Sequence, residues 1–168
     1  MNLSNKRVLS VIAAAVVWAL PAFAQGGCEL GKAVSREHVV APSLRYRLVD
    51  RFQPIYFCDP ECIGPCLLDL EKKHALEAFP QIRKDTETFR AITEHLKLAQ
   101  TGESSDDEKL SIYREYKTLI CGMSLEAEGK KQRFTIQSAD GFRVEGLINP
   151  QGEITVVEKA PSRLTCPK

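Results

Sequence analysis

The cysteines are the residues whose type and spacing could do chemistry. Three of them, Cys58, Cys62 and Cys66, are evenly spaced in a stretch that also contains two prolines and a glycine. Because proline interrupts helical hydrogen bonding, the even spacing does not place the three thiols on one helical face. The stretch from Cys58 to Cys66 therefore predicts a constrained loop, called the cysteine loop below.

Disulfide bonds are one use for these thiols. The disulfide candidates are Cys58, Cys62, Cys66, Cys121 and Cys166, and Cys28 is a further partner if it carries no lipid. In an exported protein such cysteines are read first as a disulfide framework, although the sequence does not choose the pairing. A bridge from the cysteine loop to either of the later cysteines would join the helical half to the sheet half and contribute about 2–4 kcal/mol.

Metal binding is the alternative for the same loop. Thiolates of Cys58, Cys62 and Cys66 are good ligands for Cu(I) or Zn(II), and Asp59 and Glu61 add oxygen donors. Structural zinc sites use paired cysteines with two-residue gaps, and the chain has no such pair. The same absence argues against thiol redox catalysis. A metal-handling protein therefore stands as the competing function.

Other catalytic patterns are missing from the sequence. His38, His74 and His95 lie in separate segments. Glu71 and His74 have the offset used in di-metal helical bundles, but such a site needs a matching pair on a second helix, so we expect a solvated helix face. There is no nucleophile elbow and no glycine-rich phosphate loop. The sequence predicts no catalytic residue and no cofactor, and it favours a non-enzymatic protein.

The first 24 residues have the pattern of a secretory signal. Lys6 and Arg7 precede an apolar run from Val8 to Leu20, and Ala22-Phe23-Ala24 follows. This order is typical of a signal peptide, and the run is shorter than the roughly 20 residues that span a bilayer. We expect residues 1–24 to be removed, leaving one globular domain over 25–168 with a short flexible lead over 25–42.

The charge of the remaining chain excludes one class of partner. Loss of Lys6 and Arg7 leaves 21 basic against 22 acidic side chains. A nearly neutral chain with no basic run is not expected to bind nucleic acid. No second long apolar run follows, so we do not expect the mature chain to cross a membrane.

Cys28 offers a second way to process the N-terminus. Gly26-Gly27-Cys28 resembles the end of a bacterial lipoprotein signal, whose cysteine becomes the acylated first residue, although Gln25 stands where an aliphatic residue is usual. An acylated Cys28 would hold the protein on a membrane surface. Cleavage after Ala24 and cleavage before Cys28 both remain open.

The stretch from Arg133 to Lys159 predicts an antiparallel meander of three strands. Asp140-Gly141 supplies one turn, and Asn149-Pro150-Gln151-Gly152 supplies the next. Apolar residues alternate on one face between these turns, as in half-buried strands. The residues predicted to face inward are Phe134, Ile136, Ser138, Phe142, Val144, Ile148, Ile154 and Val156.

Two helices are predicted before residue 85. The first begins at Pro42-Ser43, with the Ser43 hydroxyl as its cap, and Leu44, Leu48 and Phe52 form its apolar stripe. Pro54 ends it, and Ile55-Tyr56-Phe57 forms an apolar knot packed on the sheet. The second helix follows the cysteine loop and ends at Pro80. Its predicted apolar stripe is Leu67, Leu70, Leu76 and Phe79.

Two further helices and a strand are predicted before the meander. Asp85 caps a helix that ends near Gly102, with Phe89, Ile92 and Leu96 buried. Ser105 and Glu108 have capping-box spacing for a helix that ends at Gly122. The predicted buried edge is Ile112, Tyr116, Leu119 and Met123, widened by Tyr113 and Ile120. The alternation of Met123, Leu125 and Ala127 predicts a fourth strand.

These elements define the fold class. We predict an α+β domain with about four helices packed on one face of a small three- to four-stranded antiparallel meander.

Several segments of the chain resemble one family of proteins. They are Ala41 to Arg47, Tyr56 to Pro60, Phe79 to Ile82, Tyr113 to Lys117, Gly141 to Gly146 and Leu164 to Pro167. Together they resemble a group of bacterial cell-envelope lipoproteins of uncharacterised function. The resemblance spans most of the chain after residue 24 and indicates membership, not activity. It implies lipid anchoring at Cys28.

The sequence thus predicts a cell-envelope protein that is periplasmic or secreted and acts by binding or by structural interaction. Its expected partner is an envelope protein or ligand, with the membrane surface added if Cys28 is acylated. The predicted contact surfaces are the cysteine loop and the outward face of the meander.

Overall fold

The computed structural model describes residues 41–59, 68–99 and 103–163. This part of the chain contains four helices and five strands, so the predicted α+β class is confirmed with slightly more strands than expected. The helices are α1 (Pro42–Phe52), α2 (Leu68–Lys84), α3 (Thr86–His95) and α4 (Asp106–Cys121). The strands are β1 (Ile55–Tyr56), β2 (Met123–Glu128), β3 (Lys131–Ser138), β4 (Phe142–Ile148) and β5 (Ile154–Pro161).

The sheet is antiparallel and is built around β3. Strands β3, β4 and β5 form the predicted meander, with β5 beside β4. The other side of β3 is shared by β2, which pairs with Lys131 to Ile136, and by β1, which pairs with Gln137 and Ser138. The strand predicted from Met123 is confirmed as β2. The segment predicted as an apolar knot supplies β1, the additional strand.

One face of the sheet carries the core. Phe134, Ile136, Val144 and Ile148 are almost fully buried and belong to one apolar cluster that also contains residues from all four helices. The pairing of β4 with β5 shifts register between Glu145 and Gly146. A Cβ on Gly146 would lie 2.6 Å from Cζ of Phe134, so this position requires a residue without a side chain.

Helix α1 lacks the predicted serine cap. Ala41 occupies the N-cap position and forms no side-chain hydrogen bond. Pro42 begins the helix, as proline does at a first helical position where its missing N–H has no intrahelical partner anyway. Ser43 therefore lies inside the helix, and its predicted capping role was wrong. The predicted burial of Leu48 is confirmed, since it is fully buried.

Helix α2 continues through Pro80, which was predicted to end it. Its buried face consists of Glu71, Ala75, Phe79 and Ile82. Proline removes one helical hydrogen bond, but the burial of Phe79 before it and Ile82 after it favours an uninterrupted helix. The predicted stripe was wrong at Leu70 and Leu76, which are each 37% exposed, while Leu67 lies outside the described residues.

Helices α3 and α4 begin as predicted. Asp85 accepts a hydrogen bond from the Thr88 amide, and Ser105 and Glu108 form a complete capping box. Helix α4 ends at its predicted C-cap, Gly122. Helix α3 ends at His95, well before the predicted Gly102, because Lys97 takes a positive φ of 55° that a helix does not allow.

Candidate functional site

Charged side chains meet in the interior between α2, α4 and the segment that follows β1. Lys117 is 1% exposed, and its Nζ lies 2.6 Å from Oδ2 of Asp59 and 3.1 Å from Oε1 of Glu71. Arg114 binds the same glutamate, with 2.6 Å between Nη2 and Oε2. Asp59, Glu71, Arg114 and Lys117 are called the ion cluster below.

Helical spacing explains how the ion cluster forms. Arg114 and Lys117 are three residues apart on α4, so both side chains reach the same side of the helix, where α2 presents Glu71. The Tyr113 ring lies 4.8 Å from Nζ of Lys117 and adds a cation–π contact. Glu71 therefore lies in the interior, and the predicted solvated helix face was wrong for this residue.

The charges within the ion cluster favour one another. Hydrogen bonding by Arg114 lowers the pKa of Glu71, and the same bond raises the pKa of Arg114. Both groups are therefore ionised at neutral pH. Lys117 is enclosed by its partners and is not accessible to a substrate in this arrangement. The ion cluster is suited to fastening three segments together.

Two of the candidate cysteines lie next to the ion cluster. Cys58 and Cys121 are both disulfide-bonded, so neither presents a free thiol. Cys58 directly precedes Asp59, and Cys121 lies four residues after Lys117 on α4. The other candidates fall outside the described residues, and so does Glu61. They are Cys28, Cys62, Cys66 and Cys166.

The histidines do not form a site within the described ranges. His74 is partly buried on α2, and His95 at the end of α3 stacks on Tyr46 with 4.2 Å between ring centroids. His38 lies outside the described residues. Over residues 41–59, 68–99 and 103–163, no group of three or more His, Cys, Asp or Glu side chains could hold a metal ion.

An open cleft lies between the end of α1 and the core face of the sheet. Its volume is about 490 Å³, within the range of small-ligand sites. We call it the β5 cleft. It is lined by Arg51, Phe52, Gln53, Pro54, Ser138, Ala139, Asp140, Val144, Val156 and Lys159.

The β5 cleft exists because α1 stops short of the sheet edge. The helix ends at Phe52, and Pro54 follows the C-cap residue Gln53. Val156 pairs with the buried Gly146 and so shares the core face, but it remains 46% exposed. The prediction that Val156 faces the core side of the sheet is therefore confirmed. The side chain is not buried, however, because no helix among the described residues covers it at this edge.

Charges surround the apolar floor of the β5 cleft. Nζ of Lys159 lies 4.3 Å from the centroid of the Phe142 ring and 4.0 Å from Oδ2 of Asp140. The Ser138 hydroxyl is hydrogen-bonded to the Asp140 carboxylate, which orients that side chain. Arg51 is exposed on the last turn of α1. The cleft can therefore receive an apolar group together with an anionic one.

The outward face of the meander is polar and internally paired. Arg133 forms a 2.6 Å ion pair with Glu128, and Arg143 is paired with Glu145. The β5 cleft lies on the opposite face of the sheet from this predicted contact surface. Sequence reasoning did not identify the cleft, because its lining comes from α1, from the β3–β4 turn and from β5, which are distant in the chain.

Comparison of the chain with protein-family models, with characterised proteins and with solved structures finds no match. Among the described helices, none combines the length and apolar character needed to cross a membrane.

Proposed function

We propose that this chain is an exported cell-envelope protein that acts by non-covalent binding, with the β5 cleft as its binding surface. The observation that carries the proposal is the cleft itself, in which an apolar floor formed by Phe52, Val144 and Val156 lies beneath charged residues. Apolar clefts with a few polar groups are the usual form of a ligand site. The ion cluster, in contrast, encloses Lys117 and serves to hold the scaffold.

Export is supported by two features of the chain. The order of charges, apolar run and small residues over 1–24 is that of a secretory signal. Disulfide bonds at Cys58 and Cys121 are stable in an oxidising compartment. The metal-handling alternative loses one of its three thiolate ligands, because Cys58 is in a disulfide, while Cys62 and Cys66 lie outside the described residues.

The mature N-terminus tests the export part of the proposal. Mass spectrometry of the protein from a cell-envelope fraction should find either a chain that begins at Gln25 or one that begins at an acylated Cys28. Acylation would add the membrane surface as a partner. A full-length chain that begins at Met1 in the cytosolic fraction, with its cysteines reduced, would refute export.

Site-specific crosslinking tests the binding part. A photoreactive amino acid at Val156 should give a discrete crosslinked species in intact cells, because this side chain lies in the cleft. The matched control is the same group at Glu126, an exposed position opposite Arg133 on the outward face. Crosslinks from Glu126 alone, or from neither position, would contradict a binding role for the β5 cleft.

A further inference from the structure

Strand β5 lies at the edge of the sheet. It pairs with β4 from Ile154 to Pro161, and among the described residues no strand pairs with its other side. Within the described part of the chain, the backbone groups on that side are available to an added strand. Val156 and Val157 on this strand are 46% and 59% exposed, which is high for valine side chains in a sheet.

The β5 cleft opens beside this edge. Side chains of a strand alternate between the two faces, so every second side chain of a strand added to β5 would point towards the core face. Val156 and the buried Val144 form apolar surface there. An added strand with apolar residues at these alternate positions would cover surface that β5 leaves exposed.

The charges beside this edge select for an acidic occupant. Lys159 faces the cleft and lies 4.0 Å from Asp140, at the outer limit of an ion pair. Arg51 lines the same cleft and forms no salt bridge with any described residue. The cleft therefore carries two positive side chains, Arg51 and Lys159, and one negative side chain, Asp140. An acidic side chain of a bound partner would balance the remaining positive charge.

A second copy of the chain fits the edge less well. In a two-fold antiparallel pairing of β5 with itself, a centre at Glu158 or at Lys159 places like charges opposite each other. A centre at Val157 leaves both charges opposite uncharged residues. Pro161 also removes a backbone donor at the end of the strand. The registers centred on the two charged residues are therefore disfavoured, and the register centred at Val157 is the one that a test of dimer formation must address.

We infer that β5 receives an extended peptide segment of another protein, which adds to the sheet as an antiparallel strand. Its apolar side chains enter the β5 cleft, and an acidic side chain lies beside Lys159 and Arg51. This inference rests on the proposed function and names the kind of partner that the cleft binds.

Two matched peptides test the inference by NMR titration of the isotope-labelled protein. Each has about six residues, the usual length of a strand, and is acetylated and amidated. The first carries glutamate, valine and valine at its cleft-facing positions, with threonine between them. The second has lysine in place of glutamate. Peptides are titrated into the unmodified chain, a Lys159→Glu variant and a Lys131→Glu control, whose substitution is exposed and distant from the β5 edge.

The acidic peptide should bind about fivefold more tightly than the basic one, the effect of one or two partly exposed ion pairs. The shifts should be confined to β5 and the cleft, and the outer β5 amides should gain protection from exchange. Lys159→Glu should reverse the preference, whereas Lys131→Glu should leave it unchanged. Equal binding of both peptides, or shifts elsewhere, would overturn the inference.

Two other outcomes separate this inference from the proposed function. If neither peptide binds while Val156 still crosslinks in cells, the cleft is a binding surface but strand addition is wrong. If sedimentation shows a dimer that Val157→Lys dissociates, the occupant is a second copy of the chain, which also overturns the inference.

Discussion

At the scale of single residues, Lys117 is the most deeply buried charged side chain among the described residues. An ammonium group that is 1% exposed is stable only when its charge is compensated, and Asp59 and Glu71 supply that compensation at 2.6 and 3.1 Å. Removing one member of a buried ion pair costs more than the pair contributes, because the remaining charge stays buried without its partner.

Lys117→Met should therefore lower the free energy of unfolding by about 3–5 kcal/mol. The matched control is Lys72→Met, which breaks a 3.3 Å ion pair with Asp107 between side chains that are 42% and 91% exposed. We expect a loss of less than about 1 kcal/mol there. Urea denaturation of both variants measures the difference. Similar losses for the two substitutions would show that the ion cluster does not stabilise the fold.

Glu71 makes the stability dependent on pH. Hydrogen bonding by Arg114 lowers its pKa in the folded protein, so its contribution is fully present above the unfolded pKa of about 4.3 and is lost as pH falls through the folded pKa. Glu71→Gln should therefore destabilise the protein at neutral pH, and the gap from the unmodified chain should narrow below about pH 4. Urea denaturation across this range measures the gap. A constant gap would contradict the proposed ionisation.

At the scale of secondary-structure elements, the capping box of α4 connects sequence with structure directly. The Ser105 amide donates to Glu108 Oε2 at 2.7 Å, and the Glu108 amide donates to Ser105 Oγ at 3.3 Å. These bonds satisfy amides that have no partner within the helix. Helix α4 also carries Arg114 and Lys117, so its start fixes the position of the ion cluster.

Ser105→Ala should destabilise the protein by about 1 kcal/mol, the usual cost of losing an N-cap. The control is Ser111→Ala in the same helix, where the exposed hydroxyl bonds only to the carbonyl of Asp107. Alanine favours a helix more than serine does, so this control should be neutral or slightly stabilising. Thermal unfolding followed by circular dichroism compares the two. Equal effects would mean that the cap contributes nothing.

The elements also show what the sequence could and could not predict. Local signals succeeded: the caps at Asp85 and Ser105, the end at Gly122 and the alternation of the meander each depend on residues a few positions apart. The end predicted at Pro80 failed because tertiary burial of Phe79 and Ile82 outweighs a local preference.

The candidate site was harder to predict than the fold. Arg114 reaches Glu71 across 43 positions, and Lys117 reaches Asp59 across 58. No local periodicity specifies a pairing over such separations. No sequence pattern indicated the β5 cleft, because its shape depends on where α1 ends in space relative to β5.

At the scale of the whole molecule, the disulfide-bonded cysteines Cys58 and Cys121 lie close in sequence to two members of the ion cluster. We call the contact between the Cys58–Asp59 segment and the end of α4 the seam. Asp59 follows the disulfide-bonded Cys58, and Lys117 lies one helical turn before the disulfide-bonded Cys121. The disulfide bonds therefore constrain the backbone next to each member of the ion pair between Lys117 and Asp59. Because a disulfide limits the freedom of the unfolded chain, its loss would weaken the fold that keeps Lys117 enclosed.

Reduction by a dithiol, followed by blocking of the thiols with iodoacetamide, should lower the free energy of unfolding by about 2–4 kcal/mol for each disulfide lost. The same treatment should make the amine of Lys117 reactive towards an acylating reagent, because opening of the seam exposes it. Lys72, already 42% exposed, serves as the internal control and should react equally before and after reduction. Mass spectrometry of tryptic peptides measures both lysines. The contrary result is that Lys117 stays unreactive in the reduced chain while the unfolding free energy falls as expected. That result would show that the ion cluster keeps Lys117 buried without the disulfides, which would then stabilise another part of the fold.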